Sequence, residues 1–347
     1  MTNYRSLDHW RGIAVLWVVL FHGFGTTYEA SLHPIAEALK ILAAPGYLGV
    51  HLFFVISGYC VSAFAYRAIE LNRGGGYFIR QRLSRIMPTY WAALMVTTAL
   101  NLLASAFNRT TFWQNLPNTW NEWIGNLFLI QPYLGTKFYL IVYWSLVVEV
   151  GFYLIMALFV ALHLRSQRIA IAAAIIFSLA SLATPSDPRL LAIWHWTEFV
   201  CGALAFLAIK ASASSDHRKE MTFILCILLL FAFGILLATN GRSNELWFST
   251  AFALLLYFLR RMDDAISDAR WLEPLALIGT ISYSIYLVHL PFAGRVIGLA
   301  SRVIAVDGIA FVAVQILYWL AAIGSGYFFY LIAEKKFESW RHGFSKA

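Results

Sequence analysis

The stretch that decides the fold runs from Leu7 to Gly23 and reads LDHWRGIAVLWVVLFHG. Its charged residues end at Arg11, and the ten residues between Arg11 and His22 carry no charge. If the stretch is an α-helix, eleven steps of about 100° bring Arg11 and His22 to the same face, roughly 16 Å apart along the axis. The apolar run continues to about residue 28 and is long enough to cross a bilayer. This predicts Arg11 at a membrane surface and His22 near mid-depth.

The composition is that of a membrane protein. Of the 347 residues, 60% are hydrophobic and 13% are charged, whereas a soluble domain is roughly half apolar and a quarter charged. We predict an all-α, polytopic membrane helical bundle with about ten transmembrane helices and a single integral membrane domain over residues 1–347. No fused soluble domain and no cleaved signal peptide are expected. The ten candidate spans are residues 12–28, 47–66, 87–107, 140–163, 168–184, 191–210, 221–239, 245–260, 277–299 and 308–333.

The basic residues predict the orientation in the membrane. If the N-terminus is cytoplasmic, all but seven of the 26 Lys and Arg residues fall on cytoplasmic segments. The seven others are Lys40, Arg109, Lys137, Arg189, Arg242, Arg295 and Arg302. Such an excess is typical of cytoplasmic loops, so both termini are predicted to be cytoplasmic. The net charge of +8 therefore requires no nucleic-acid partner.

Two segments between the spans each allow two interpretations. The outer segment 108–139 contains Trp113, Trp120 and Trp123 and indicates either an interfacial aromatic belt or a platform on which sugar rings stack. The inner segment 67–86 is rich in Gly and Arg. It either sets the orientation in the membrane or binds an anion, because guanidinium groups match phosphate oxygens.

Ionisable side chains inside the spans form the candidate site. Glu149 is central in its span, and His22 and His289 lie at a similar depth in theirs. Such groups are costly to bury in lipid and are functional hypotheses by default. Three of them at one depth favour a shared site over separate packing positions, whereas His195 and Glu198 are interpreted as structural.

The residue types restrict the chemistry. The sequence contains no HExxH motif, no His pair at zinc spacing and no GxSxG motif, so no metal and no serine triad are predicted. A histidine with a carboxylate indicates proton abstraction from a hydroxyl. The basic inner segment indicates a phosphate-bearing partner, and the separation of Arg11 from His22 indicates a long donor that enters from the cytoplasm.

Five segments carry a resemblance to a known family. They are LDHWRG with His22 eleven residues after Arg11, GVHLFFVISGYC at 49–60, FIRQRLSRIMPTYW at 78–91, YWSLVVEVGFYL at 143–154 and ISYSIYLVHLP at 281–291. In their order, and in their alternation with spans, they resemble the acyltransferase-3 family of integral membrane acyltransferases. The chain departs from the family at three places: His9-Trp10, where Gly-Leu is usual, His51, where Asp is common, and Val150, where a second acid is common.

The resemblance implies a membrane O-acyltransferase of the bacterial inner membrane. It implies transfer of an acyl group, usually acetyl, from cytoplasmic acyl-CoA to a hydroxyl of a cell-surface or exported carbohydrate. The implied partners are acetyl-CoA or another acyl-CoA, a glycan or glycolipid acceptor and membrane lipid. Some members carry a fused extracytoplasmic domain, so a separate envelope protein is a further candidate partner.

The residues and the resemblance together predict a role for each candidate residue. His22 is the general base, Glu149 orients it, and Arg11 orients the donor. Four basic residues are assigned to the coenzyme A phosphates: Arg11, Arg80, Arg82 and Arg85. Four residues are candidates for positioning the acceptor or stabilising the oxyanion: Tyr283, Tyr286, His289 and His51.

Two other functions explain part of the pattern. A proton-coupled transporter or flippase for a lipid-linked or acylated substrate would use mid-membrane His and Glu residues as a proton relay. Inverted repeats would favour a transporter, and none is visible in the sequence. A membrane sensor or scaffold explains the basic inner segment but gives no reason for His22 and Glu149. Only the acyltransferase is expected to cleave a thioester, so this activity distinguishes it from the transporter and from the scaffold.

Overall fold

The computed structural model describes residues 4–25, 34–108, 116–185, 187–239, 245–304 and 308–344. Within these ranges the chain forms α-helices, short 3₁₀ segments and one π-helical segment at Tyr330–Glu334, with no β-strand. The prediction of an all-α helical bundle is therefore confirmed. Trp113 of the outer segment and the last three residues of the run 12–28 lie outside the described residues.

Seventeen α-helices follow one another in the described parts of the chain. They are α1 Leu7–Gly25, α2 Pro34–Ala43, α3 Gly49–Glu70, α4 Gly75–Asn108, α5 Trp120–Phe128, α6 Gln131–Leu134, α7 Trp144–Arg165, α8 Gln167–Ser181, α9 Leu191–Trp194, α10 Trp196–Ala213, α11 His217–Thr239, α12 Glu245–Leu259, α13 Asp263–Ser267, α14 Glu273–Thr280, α15 Ser282–Ala300, α16 Gly308–Phe329 and α17 Lys335–Phe344. Side-chain caps begin at least three of them: Thr119 accepts a hydrogen bond from the Glu122 amide at α5, Ser166 accepts one from the Ile169 amide at α8, and Asp216 accepts one from the Lys219 amide at α11.

Among the described residues, seven helical stretches are long and apolar enough to cross a membrane. They are Pro34–Glu70, Gly75–Phe107, Ile141–Arg165, Pro188–Ala213, His217–Thr239, Ser282–Ala300 and Gly308–Arg341. The shorter apolar helices α8 and α12, together with α1, coincide with the three remaining predicted runs. The chain is thus a multi-pass membrane protein. The number of spans and the side on which the termini lie stay predictions.

Packing divides the chain into two compact units that alternate along the sequence. The first unit contains Met1–Arg11, Val50–Leu83 and Ser145–Ala276, and the second contains Gly12–Gly49, Ser84–Trp144 and Leu277–Ala347. Helices α1, α4 and α14 each contribute several residues to both units, and α3 and α7 each contribute only their first residue to the second unit. The prediction of one domain over residues 1–347 stays a prediction.

In the first unit, α3 and α10 cross at very short range. A Cβ atom on Gly58 of α3 would collide with the carbonyl of Phe199, and one on Gly202 of α10 would collide with the carbonyl of Val55. Only glycine fits at such a close approach of two backbones. The ring of Phe199 also stacks on Phe152 of α7, with centroids 4.0 Å apart. This crossing determines which side chains of α3 and α10 meet.

In the second unit, α1 packs on α16 and α15 packs on α16. Gln315 Nε2 of α16 donates a hydrogen bond to the carbonyl of Gly23 at 2.9 Å, and a Cβ on Gly23 would collide with the Gln315 side chain. A Cβ on Gly326 of α16 would meet Ile285 of α15 in the same way. These contacts hold α1 and α15 on a common partner helix.

Candidate functional site

The second unit brings His22 of α1 into contact with His289 of α15. His22 Nδ1 lies 3.2 Å from His289 Nε2, and the ring centroids are 5.1 Å apart. His289 Nδ1 lies 3.1 Å from the carbonyl oxygen of Ile285 and 2.9 Å from that of Tyr286. His289 is fully buried, whereas His22 is partly exposed. The imidazole of His22 is therefore accessible from outside the protein, and the imidazole of His289 behind it is not.

The two carbonyls determine where the protons of this pair lie. A carbonyl oxygen can only accept a hydrogen bond, so a neutral His289 carries its proton on Nδ1 and has its lone pair on Nε2. His22, which also forms a hydrogen bond with the backbone of Val18, complements that lone pair when it donates from Nδ1, and its own lone pair is then on Nε2. A histidine in a defined tautomer has one defined basic nitrogen, which is what general-base chemistry requires.

Both tyrosines of the α15 motif hold backbone groups of the second unit. Tyr283 OH donates to the carbonyl of Ile86 at 3.1 Å, and Tyr286 OH donates to the carbonyl of Val142 at 2.9 Å. These bonds tie α15 to α4 and to the residues before α7. The predicted role of Tyr283 and Tyr286 in positioning the acceptor or stabilising an oxyanion stays a prediction.

In the first unit, Arg11 of α1 and Arg82 of α4 converge on Cys60 of α3. Arg11 Nη2 lies 3.4 Å from Cys60 Sγ, and Arg82 Nη2 lies 3.3 Å from the Cys60 carbonyl oxygen. Arg11 Nη1 also donates to Asp8 Oδ1 at 2.7 Å, one turn earlier on the same helix. Arg11 and Arg82, both predicted from the sequence to bind the acyl donor, therefore contact the same residue. Cys60, which the sequence gives no reason to single out, is where they meet.

The three arginines of the inner segment differ in their surroundings. Arg82 is only 7% exposed, and its guanidinium lies 4.4 Å from the ring centroid of Phe64 and 5.8 Å from that of Tyr153. Arg80 and Arg85 are exposed. Aromatic faces and a carbonyl contact the Arg82 guanidinium. The assignment of all three arginines to coenzyme A phosphates stays a prediction.

Glu149 of α7 is hydrogen-bonded within the first unit. Ser57 Oγ donates to Glu149 Oε1 at 3.1 Å, and Tyr153 OH donates to the same oxygen at 2.5 Å. Glu149 also interacts electrostatically with Arg11. His22 belongs to the second unit, so the predicted pairing of Glu149 with His22 stays a prediction.

A third group of ionisable residues is fully buried in the first unit. His51 Nδ1 lies 2.6 Å from Glu198 Oε2, and His195 Nδ1 lies 2.8 Å from Glu198 Oε1. The i,i+3 spacing of His195 and Glu198 is visible in the sequence; His195 lies immediately before α10, and Glu198 lies in the first turn of that helix. His51 is 147 residues away from Glu198, and only the crossing of α3 with α10 brings it there. Its predicted role at the substrate or oxyanion is not tested by these contacts.

The chain is similar to known acyltransferases over most of its length. A family model described as an acyltransferase domain matches residues 4–335. O-acetyltransferase OatA of Staphylococcus aureus is 24% identical over 330 residues, which cover 82% of this chain and 50% of that protein. YrhL of Bacillus subtilis, provisionally named a peptidoglycan O-acetyltransferase, is 25% identical over 328 residues, 82% of this chain and 48% of that protein.

A third relative is matched over more of its own length. BcsY of Komagataeibacter xylinus, provisionally named a membrane-bound transacylase, is 27% identical over 319 residues, 83% of this chain and 72% of that protein. This chain spans about half the length of OatA and YrhL. No solved structure matches it significantly. Because the family model covers nearly the whole chain, including the segments that carry His22, Arg82, Glu149 and His289, the chain belongs to the acyltransferase-3 family.

Proposed function

We propose that this protein is a membrane O-acyltransferase that moves an acetyl group from acetyl-CoA to a hydroxyl of a cell-surface or exported carbohydrate. The observation that carries the proposal is the His22–His289 pair, in which the partly exposed His22 contacts the buried His289, whose Nδ1 faces two backbone carbonyls. Membership of the acyltransferase-3 family supports the reaction class. The names of OatA and YrhL, an O-acetyltransferase and a peptidoglycan O-acetyltransferase, support acetyl as the group and a glycan as the acceptor.

The chemistry begins with proton removal by His22. Its Nε2 takes the proton of the acceptor hydroxyl, and the oxygen attacks the carbonyl carbon of the thioester. A C–O bond forms, the C–S bond breaks, and the proton on His22 passes to the departing thiolate, which leaves as coenzyme A. His289 is a positioning residue, because the bond that it accepts at Nε2 holds His22 in the reactive tautomer.

The donor is held by basic residues at the start of α1 and α4. Arg11 and Arg82, which meet at Cys60, contact donor phosphates, and the exposed Arg80 and Arg85 add charge for the nucleotide end. Arg11 and His22 lie on one helix, about 16 Å apart along its axis, a length that suits an extended pantetheine arm. Glu149 is kept as a candidate catalytic residue: its carboxylate accepts hydrogen bonds from Ser57 and Tyr153 and interacts electrostatically with Arg11.

The cellular setting follows from the charge distribution. Both termini are proposed to be cytoplasmic, because Lys and Arg are concentrated on the segments that this orientation places inside. Donor binding then occurs on the cytoplasmic side of a bacterial inner membrane. The acceptor, a glycan or glycolipid, enters from the outer side past Trp120 and Trp123. Membrane lipid surrounds the chain, and a separate envelope protein is a candidate partner in the transfer.

The test uses the full chain in lipid nanodiscs with acetyl-CoA labelled in the acetyl group. Thiol release and the label on oligosaccharide acceptors are measured for wild type, His22→Ala and His217→Ala. His217 is a matched control, because its side chain is 83% exposed and lies in the first unit. We expect thiol release and acetylated acceptor from wild type and His217→Ala only. A monodisperse wild-type protein that neither binds nor cleaves acetyl-CoA would contradict the proposal and favour a transporter.

A further inference from the structure

The buried cluster of His51, His195 and Glu198 has the composition of a metal site. One ligand atom from each residue lies within 4.8 Å of the others, and all three residues are buried. Both oxygens of Glu198 are engaged, one by each imidazole, and both imidazoles approach through Nδ1. Two His nitrogens and a carboxylate oxygen are a common protein donor set for zinc.

The two imidazoles are hydrogen-bonded to Glu198, and a bound ion would replace both hydrogen bonds. Zinc binds His nitrogen and carboxylate oxygen at about 2.0–2.2 Å, so ligand atoms in a tetrahedral site are about 3.3 Å apart. In the cluster the two nitrogen–oxygen distances are 2.6 and 2.8 Å, and the largest separation is within 4.8 Å. A tetrahedral ion would therefore require the ligand atoms of His51 and His195 to move about 0.5–0.7 Å away from the Glu198 oxygens.

The charges near the cluster are suited to a divalent cation. Glu198 carries one negative charge at the cluster, and Glu245 of α12 interacts electrostatically with His51. Burying charge without compensation is costly, and the two imidazoles offset the charge of Glu198 only when they are protonated. A divalent ion balances the two carboxylates while both histidines stay neutral, which is the form in which His binds metal.

We propose that His51, His195 and Glu198 bind one Zn²⁺ ion that joins α3 to α10. A water molecule or an oxygen donor of the protein completes the tetrahedron. The role is structural, because the ligands are buried and come from α3 on one side and from the start of α10 on the other. This proposal does not depend on acyl transfer. It also gives His51 a function other than the substrate or oxyanion role predicted from the sequence.

The first experiment measures metal content. The full chain is purified in detergent with a tag that contains no histidine, from cells grown with added zinc, and zinc and iron are quantified by inductively coupled plasma mass spectrometry. We expect about one zinc per chain for wild type and for His217→Ala, whose histidine is exposed. We expect less than about 0.1 zinc per chain for His51→Ala and for His195→Ala.

The second experiment does not depend on how well the variants fold. Wild-type protein is stripped with a chelator and titrated with Co²⁺, which absorbs strongly between about 500 and 650 nm when it is four-coordinate. A saturable band at one equivalent, lost on addition of Zn²⁺, is the expected result. The proposal is overturned if monodisperse wild-type protein contains neither zinc nor a Co²⁺ band, if iron occupies the site instead, or if the His51→Ala/His195→Ala double variant keeps its zinc.

Discussion

The two units each contain a pair of neighbouring histidines, and the pairs are similar in ring geometry but different in their partners. The His22 and His289 rings in the second unit are 5.1 Å apart and inclined at 44°. The His51 and His195 rings in the first unit are 5.7 Å apart and inclined at 46°. In the second unit, Nδ1 of the buried ring faces backbone carbonyls, whereas in the first both Nδ1 atoms face the carboxylate Glu198.

The comparison indicates that the group facing Nδ1, and not the proximity of two rings, decides what a histidine pair can do. Carbonyls fix a neutral tautomer and leave the outer ring of the pair with a basic nitrogen. A shared carboxylate instead stabilises positive charge, carried either on the imidazoles or on a bound cation. We therefore assign proton transfer to the pair in the second unit and a structural role to the pair in the first.

The largest expected effect is on turnover in His22→Ala. Removal of the general base lowers kcat for acetyl transfer by about 10²–10⁴-fold, with the KM for the donor nearly unchanged. Steady-state thiol release at varied acetyl-CoA measures both constants. His217→Ala is the matched control and keeps the wild-type kcat. If the kcat of His22→Ala were within a few-fold of the wild-type value, the His22–His289 pair would not carry out proton transfer.

The next effect is on stability in Glu198→Gln. This change removes the carboxylate shared by His51 and His195 and leaves buried groups uncompensated, which lowers the free energy of unfolding by about 3–5 kcal/mol. Denaturant or thermal unfolding in detergent measures it. Asp187→Asn, which breaks an exposed ion pair with Arg189, changes stability little. If the two variants were equally stable, the Glu198 carboxylate would not stabilise the His51–His195 pair, and the proposed difference between the two histidine pairs would be wrong.

A third prediction separates donor binding from proton transfer. Arg82→Ala raises the KM for acetyl-CoA, or the Kd for coenzyme A, by about 10–100-fold, since charged hydrogen bonds contribute about 1.5–3 kcal/mol. Its kcat falls less than that of His22→Ala. Arg67→Ala, at an exposed position near the end of α3, is the control for loss of one positive charge. An unchanged Kd in a folded Arg82→Ala protein would assign this arginine to packing against Phe64 and Tyr153.

The smallest expected effect is on the kcat of His289 variants. His289→Ala lowers kcat about tenfold, because His22 loses the acceptor that holds its tautomer. His289→Gln restores part of the rate, since an amide oxygen can accept from His22 Nδ1. The KM for the donor stays the same in both variants. If Ala and Gln are equally slow, His289 acts in some other way than by accepting that hydrogen bond.

The sequence by itself determined the helices and the family. Its long apolar runs and low charge predict an all-α membrane bundle, because hydrophobicity and helical period are local properties that do not depend on distant partners. The same local period puts Arg11 and His22 on one face of α1, and span depth puts His289 level with His22. Five motifs in order identify the acyltransferase-3 family.

Only the tertiary structure decided which side chains meet. It buries Arg82 and leaves Arg80 and Arg85 exposed, although all three have the same local context. It also pairs His22 with His289, whose Nδ1 faces carbonyls of α15, and it joins His51 to Glu198 across 147 residues. The physical reason is that the packing of helices determines which side chains become hydrogen-bond partners. Here the close crossing of α3 and α10, which glycine permits, brings the partners together. The order of residues along a single helix does not determine how that helix packs on another.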